Sequence, residues 1–274
     1  MALRALVGAG HEVAIVITRV DKRRGRNEPP RPTPVKAAAQ ELGLPISERV
    51  EDSLEVGASL GVVVAFGRII KSDVLDALEM VNVHFSLLPR WRGAAPVERA
   101  ILAGDAVTGV CLMAIDEGLD TGPVYRCSEV SIGTDETADE LRGRLAHEGA
   151  SILVRALEEG LGPPRAQQGE ATYAAKLEPE DVHLQWTRPA VELHRMVRVG
   201  RAWTTWRGKR LLVLASQVAP GVAGGGPGSL DGDLVRTGAG SLRLLTVQPE
   251  GRRPLAASDW LRGARPAAGE VLGS

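Results

Sequence analysis

The 274-residue sequence predicts an α/β domain on a mainly parallel sheet, followed by a small β-barrel domain. Three observations carry this expectation. In the N-terminal part, apolar runs rich in β-branched residues, at 12–18, 60–66 and 81–84, alternate with segments of helical spacing, the pattern of a sheet covered on both faces. Beyond Val182 the runs shorten and glycine-rich turns separate them, as in a small barrel. Between the two, residues 163–181 sustain no periodicity and carry Gln-Gln-Gly and Glu-Pro-Glu clusters, which reads as a linker. Domains are therefore expected at 1–162 and 182–274.

The elements follow in order. Residues 1–10 have helical apolar spacing and stop at Gly8 or Gly10, glycine being the usual helix stop. EVAIVIT at 12–18 is nearly all apolar and reads as a buried strand. Residues 19–36 carry seven Lys or Arg and four prolines, which exclude a helix until Pro34 opens PVKAAAQELG. This basic loop has two readings, a solvated charge run or a phosphate contact. LGVVVAF at 60–66 is a second buried strand, 73–78 a short helix, and 81–84, 110–115 and 124–132 are further strands. At 137–159 Leu141, Leu145, Leu153 and Leu157 share one helical face. A helix at 189–199 precedes strand runs at 211–218, 233–236 and 241–247.

Composition narrows the function classes. The formal net charge is −1, with 44% apolar and 24% charged residues, so there is no global pull toward nucleic acid or membrane and any polyanion surface must be local. Such a cluster exists at 188–210, where seven Lys or Arg face a single acidic residue, with Trp203 and Trp206 among them and Trp186 just before. It is either a nucleic-acid surface or a set of core tryptophans with a solvated rim. Cys111 and Cys127 lie in apolar, strand-like runs and read as buried free thiols of a reducing compartment. No apolar run approaches the roughly 20 residues that span a bilayer, and there is no secretory signal pattern, so a cytoplasmic protein, taken as a monomer, is expected. His11, His84, His147, His183 and His194 lack metal-ligand spacing, and no nucleotide-cradling glycine loop is present.

The chemistry concentrates between Asn82 and Gly122. Asn82 and His84 are two apart on a strand and project from one face at its carboxyl end, where ligands of α/β sheets bind. Asp120 stands in Gly-Leu-Asp-Thr-Gly, whose glycines let the backbone turn sharply. An amide donor, an imidazole and a carboxylate together suit acyl transfer to an amine: the amide stabilises the carbonyl oxygen and the imidazole moves a proton. Each has a bland counterpart, a hydrogen-bonded strand-end histidine and a turn aspartate.

These residues resemble a known signature. Asn82-Val83-His84-Phe85-Ser86-Leu87-Leu88-Pro89, Arg92-Gly93-Ala94-Ala95-Pro96 and Asp120-Thr121-Gly122 are similar to the folate-dependent formyltransferases. The Arg-Gly-Ala-Ala-Pro form, the basic insertion and Thr172-Tyr173-Ala174-Ala175-Lys176-Leu177 look most like the branch that acts on methionyl-tRNA. The resemblance implies a Rossmann-like catalytic domain, a C-terminal barrel of the oligonucleotide-binding type, 10-formyltetrahydrofolate as donor, initiator methionyl-tRNA as acceptor, and no metal. It implies catalytic roles for Asn82, His84 and Asp120. It implies folate contacts at Ala65, Phe66, Gly67, Arg68, Ile69, Ser86, Leu87, Leu88, Pro89, Ile115 and Gly118. It implies tRNA contacts at Lys22, Arg23, Arg24, Arg26, Arg31, Lys36, Arg195, Arg198, Arg201 and Lys209.

Two departures stand out. Relatives continue Gly-Arg-Gly-Lys-Lys where this chain has Gly25-Arg26-Asn27-Glu28-Pro29, with less positive charge. The family also begins with a strand before its first helix, whereas this sequence starts within that helix. The expectation is a downstream start or a truncated gene, with neighbours of the missing strand left unpaired. Two competing functions are formylation of a small amine, such as an amino-sugar nucleotide or purine precursor, and an inactive chain that retains RNA binding.

Overall fold

A computed structural model describes all residues except 22, 24–28, 222, 223, 268 and 274. The chain divides into two units: Met1–Pro96, Val107–Ser131 and Arg142–Ala174 form one, and Val97–Ala106, Ile132–Leu141 and Ala175–Ser274 the other.

The first unit opens with α1 (Ala2–Gly8), β1 (Val16–Ile17), α2 (Pro34–Glu41) and β2 (Ile46–Ser47). Thr33 caps α2, accepting the Lys36 N–H, with Pro34 in the first turn where its missing N–H costs nothing. β1 pairs with β2 in parallel as a separate two-stranded sheet. Only two residues of the 12–18 run take up the ladder. β3 (Gly61–Val64), α3 (Ser72–Ala77), β4 (Met80–His84), β5 (Val107–Ala114), β6 (Val124–Ser131) and most of α5 (Ala138–Glu159) follow, while α4 (Pro96–Ala103), between β4 and β5, falls almost wholly in the second unit.

The larger sheet runs β3-β4-β5-β6 and is mixed rather than mainly parallel: β3 and β4 are parallel, but β5 is antiparallel to both β4 and β6. For β5 and β6 the reason is connection length. Residues 115–123 join β5 to β6 without a crossover helix, and a parallel return needs one. The 60–66 run is not the buried strand expected either, since β3 is the outer strand of this sheet and Val64 is exposed.

β4 and β5 are the buried centre. Val81, Val83, Val110, Cys111, Leu112 and Met113 are all at most 5% exposed. α5 lies close against them because residue 149 has no side chain: a Cβ there would stand 2.7 Å from Val83 Cγ1. Cys111 and Cys127 are directly opposite in the β5–β6 ladder and form a disulfide. This corrects the expectation of free thiols, because cross-strand register brings together residues that look independent in sequence.

The second unit is built on α6 (Ala190–Arg198), β7 (Trp203–Trp206), β8 (Lys209–Ala219), β9 (Leu230–Asp231), β10 (Leu234–Arg236), β11 (Ser241–Pro249), β12 (Leu255–Ala256) and α7 (Ala257–Ala264). Its strands form one antiparallel sheet ordered β7-β8-β11-β10-β9, with β12 beside β11. The path is open among the described residues, so a closed barrel is not established. Leu193, Met196 and Val197 of α6 join Trp186, Leu211, Val213, Leu242, Leu244 and Trp260 in one core. No helix of the described residues is long and apolar enough to cross a membrane.

Candidate active site

Strand β4 creates the site by its period of two. Val81 and Val83 enter the core, which turns Asn82 and His84 to the other face. Asp120 reaches them from the loop after β5, 38 residues on from Asn82. Asn82 Nδ2 donates toward Asp120 Oδ1 at 3.5 Å, and His84 Nδ1 lies 3.6 Å from Asp120 Oδ2. The Gly93 N–H donates to Asp120 Oδ2 at 2.8 Å, a stronger tie than either side chain makes. The three expected residues therefore converge.

The loop that carries Asp120 is held by its own chemistry. Asp116 Oδ1 accepts from the Gly118 N–H at 3.1 Å and from Thr121 Oγ1 at 2.6 Å. Asp120 itself takes a left-handed conformation, φ +51°, uncommon for a residue with a side chain. Gly122 closes the loop onto β5, for a Cβ there would lie 1.9 Å from the Ala114 carbonyl oxygen.

His84 is 6% exposed, and its Nε2 lies 3.0 Å from the Trp91 carbonyl. A carbonyl only accepts, so Nε2 carries the hydrogen and Nδ1 of the neutral ring is the basic atom, facing Asp120. Proton uptake at Nδ1 would give Asp120 a charge-assisted partner. The arrangement can hold a carbonyl oxygen at Asn82 and move a proton at His84.

Of the expected folate contacts, Ala65 and Gly67 have positive φ and turn the chain sharply at the end of β3. Arg68 stacks on the Phe66 ring at 4.5 Å and donates to the Glu48 carbonyl, while Ile69 is 94% exposed. Ile115 packs beside the Val74, Leu78 and Met80 cluster, and Gly118 makes room for Thr121. Ser86 is fully buried and its hydroxyl donates to the Arg90 carbonyl, closing the turn that holds Leu87, Leu88 and Pro89. Leu87 packs over Gly109, and Leu88 lines a cleft of about 780 Å³ with Tyr125, Cys127, Arg165 and Gln167.

The expected tRNA set divides. Lys22, Arg24 and Arg26 lie outside the described residues. Arg23, Arg31, Arg201 and Lys209 are exposed. Lys36 is paired with Asp21 at 2.8 Å and Glu48 at 3.4 Å, and the hydrogen bond to Asp21 raises its ammonium pKa. Arg195 lays its guanidinium over Gly104. Arg198 leaves the set: it is buried and donates to the carbonyls of Glu136 at 2.8 Å and Gly133 at 2.7 Å, and burial lowers its pKa. Basic residues clustered in sequence did not distinguish a surface cation from one that anchors a loop.

Sequence reasoning also missed part of the site. Residues 163–174 read as a linker, yet they are stitched to the loop after β4. Arg92 and Tyr173 form a parallel bridge, the Trp91 N–H donates to Thr172 Oγ1, and the Ala95 N–H donates to the Ala174 carbonyl. Gln167 contacts Arg92, Asp120 and Gly122 through its amide. Only Thr172-Tyr173-Ala174 carried a signal, as part of the family resemblance; Gln167 carried none.

Comparison with known proteins places this geometry. A formyl transferase family model matches residues 3–157, and the formyl transferase C-terminal domain matches residues 176–265. The methionyl-tRNA formyltransferase of Dinoroseobacter shibae is 44% identical over 95% of this chain and 92% of its own length. That of Symbiobacterium thermophilum is 42% identical over 96% and 88%. Among solved structures, an N-formyltransferase of Helicobacter canadensis, in complex with folinic acid and dTDP-3-aminofucose, shares the fold at TM-score 0.70 and 16% identity, covering 89% of this chain and 94% of that one. HypX of Aquifex aeolicus in complex with tetrahydrofolic acid aligns at TM-score 0.64 and 19% identity over 85% and 45%. With both family models matched in order and full-length relatives above 40% identity, the chain belongs to the formyltransferase family.

Proposed function

We propose that this chain transfers the formyl group of 10-formyltetrahydrofolate to the α-amino group of methionine on initiator methionyl-tRNA. The observation that carries the reaction is the convergence of Asn82, His84 and Asp120 at the end of β4. The acceptor is supported by the 40–44% identity to relatives named methionyl-tRNA formyltransferase. Two structural neighbours, a sugar 3N-formyl transferase and an N-formyltransferase in complex with dTDP-3-aminofucose, are 16–17% identical, which gives the small-amine reading less support.

The residues fit a folate at the strand ends. Ile69 and Leu119 expose apolar surface, 94% and 62%, in the two loops that flank the polar triad, as a flat apolar ring system with a polar edge requires. Ala65 to Ile69 and Ile115 to Gly118 would hold it, and it supplies the formyl carbon. An α-amino group, with an ordinary pKa of about 7.7–8.0, is partly unprotonated at neutral pH and attacks that carbon. Asn82 Nδ2 donates to the formyl oxygen as negative charge grows there. His84 Nδ1 takes the proton from the attacking nitrogen and returns it to the folate nitrogen as the bond from that nitrogen to the formyl carbon breaks. Asp120 supports the ring while it is charged.

In this reading residues 1–162 carry the chemistry and 182–274 form an oligonucleotide-binding barrel for the tRNA. Arg23, Arg31, Arg195, Arg201 and Lys209 meet the phosphates. The test is formyl transfer to methionyl initiator tRNA by wild type and Asn82→Ala. Removing such a donor lowers kcat about 10²–10³-fold; equal rates would refute the site, and an inactive wild type the function.

A further inference from the structure

We propose that Gln167 is a positioning residue for the formyl transfer proposed above, acting through the Asp120 loop; the inference rests on that reading. Gln167 Nε2 donates to the carbonyls of Asp120 and Gly122, both at 2.8 Å. Its Oε1 accepts from Arg92 Nε at 3.1 Å and Nη2 at 2.6 Å. A primary amide has two N–H donors and two acceptor lone pairs, so all four positions are filled. Backbone carbonyls only accept and a guanidinium only donates, so the amide orientation is fixed by its partners.

This saturation joins both halves of the site. One half is the loop on which Asp120 sits in its uncommon left-handed conformation, with Gln167 holding the carbonyl of that very residue and of the glycine two further on. The other half is the loop bearing Arg92, whose next residue, Gly93, donates the N–H that fixes Asp120 Oδ2. Arg92 is further tied by its N–H to the Thr172 carbonyl at 2.9 Å, and its carbonyl accepts the Ala174 N–H at 2.7 Å. A Cβ at Gly93 would stand 2.9 Å from the Ala174 carbonyl oxygen, so the two segments approach as only glycine allows. Gln167 thus sets the Asp120 main chain from one side and, through Arg92, the donor to its carboxylate from the other. Without it, Asp120 keeps its neighbours but loses the fixed distance to His84 Nδ1.

The test uses Gln167→Ala and Gln167→Glu in the full chain. The glutamate keeps an acceptor for Arg92 and loses both donations to the 120–122 carbonyls, so it separates holding Arg92 from holding the Asp120 loop. Both variants are expected to lower kcat about 10–100-fold with KM for folate and for tRNA within about twofold, as a displaced reacting group does. Amide exchange is expected to rise in peptides covering 116–122 in both variants and in 91–95 only in Gln167→Ala, with an unchanged melting temperature. Unaltered kcat in both variants, or activity kept by Gln167→Glu alone, would overturn the proposal. Unaltered exchange in 116–122 would overturn it even if wild type transfers no formyl group, a result that by itself counts against the function and not against this brace.

Discussion

The chain buries two histidines against aspartates, one in each unit, and the pairs are finished in opposite ways. His84 and His194 are each 6% exposed. His194 Nε2 lies 3.0 Å from Asp135 Oδ1 and its Nδ1 lies 3.0 Å from Ser216 Oγ. A carboxylate only accepts, so Nε2 is the protonated nitrogen and Nδ1 takes the serine hydroxyl's hydrogen. The neutral ring is fully satisfied. In His84 the carboxylate faces the other nitrogen: Nε2–H goes to the Trp91 carbonyl, and unprotonated Nδ1 looks at Asp120 Oδ2 across 3.6 Å. A proton arriving at His84 Nδ1 gains a carboxylate partner; one arriving at His194 Nδ1 forces the Ser216 hydroxyl to turn from donor to acceptor. The two rings differ in what the unprotonated nitrogen faces: a donating serine hydroxyl in His194, a carboxylate in His84.

The largest expected effect sets these two side by side. His84→Gln should lower single-turnover formyl transfer by about 10²–10⁴-fold, the usual worth of a positioned proton carrier. His194→Gln should leave the rate within about twofold. Equal losses would break the distinction and make His194 part of the chemistry.

The contrast also explains what was legible in the sequence. Asn82, His84 and Asp120 were readable because strand period and flanking glycines are local, and their spacing matched a family signature. The tautomer was not readable, since it depends on the Trp91 carbonyl, delivered by a turn that Ser86 closes on Arg90. The helices and most strands were legible from periodicity, but the direction of β5 was not: it runs antiparallel to β4 although residues 85–106, helix α4 included, join the two, so neither composition nor connection length announces it. Arg198 and Lys36 look like tRNA contacts because charge is visible in sequence, whereas which carbonyl or carboxylate engages each, Glu136 for Arg198 and Asp21 for Lys36, depends on the fold. Gln167 was hidden for the same reason, as a polar residue in a stretch without periodicity.

A smaller effect sharpens the comparison through the strands around His84. Cys111 stands opposite His84 across β4–β5 and is bonded to Cys127 across β5–β6, a closure spanning 16 positions. Constraining a loop of this length is worth about 3 kcal/mol in the chain-entropy account. Thiol titration of the denatured chain should find none before reduction and two after it. Reduction should lower the denaturant midpoint for exchange in β4–β6 peptides and leave α6 and β8, which hold His194 and Ser216, unchanged. Free thiols in the untreated protein, or an equal shift in both units, would contradict this.

The smallest effect belongs to His194 and is read by pH. Burial lowers its pKa below the ordinary value of 6.5, outweighing Asp135, which raises it, while nearby Arg198 lowers it further. Asp135 is 77% exposed at its side chain, so solvent screens its pull on the ring. The sign follows from proton counting: as pH falls below about 6.5 the unfolded chain binds the proton first, and the folded chain only at a lower pH. Stability of the second unit is thus full above 6.5, declines through the interval down to the folded value, and is level below it. One proton gives at most about 1.4 kcal/mol per pH unit. Denaturant melts followed by tryptophan emission report mainly this unit, which holds Trp186, Trp203, Trp206 and Trp260, against Trp91 alone in the first. His194→Gln should remove the slope below pH 6.5 attributable to this ring, whereas His84→Gln should leave it in place. A slope that survives His194→Gln unchanged would mean that its pairing with Ser216 and Asp135 does not set the acid sensitivity of this unit.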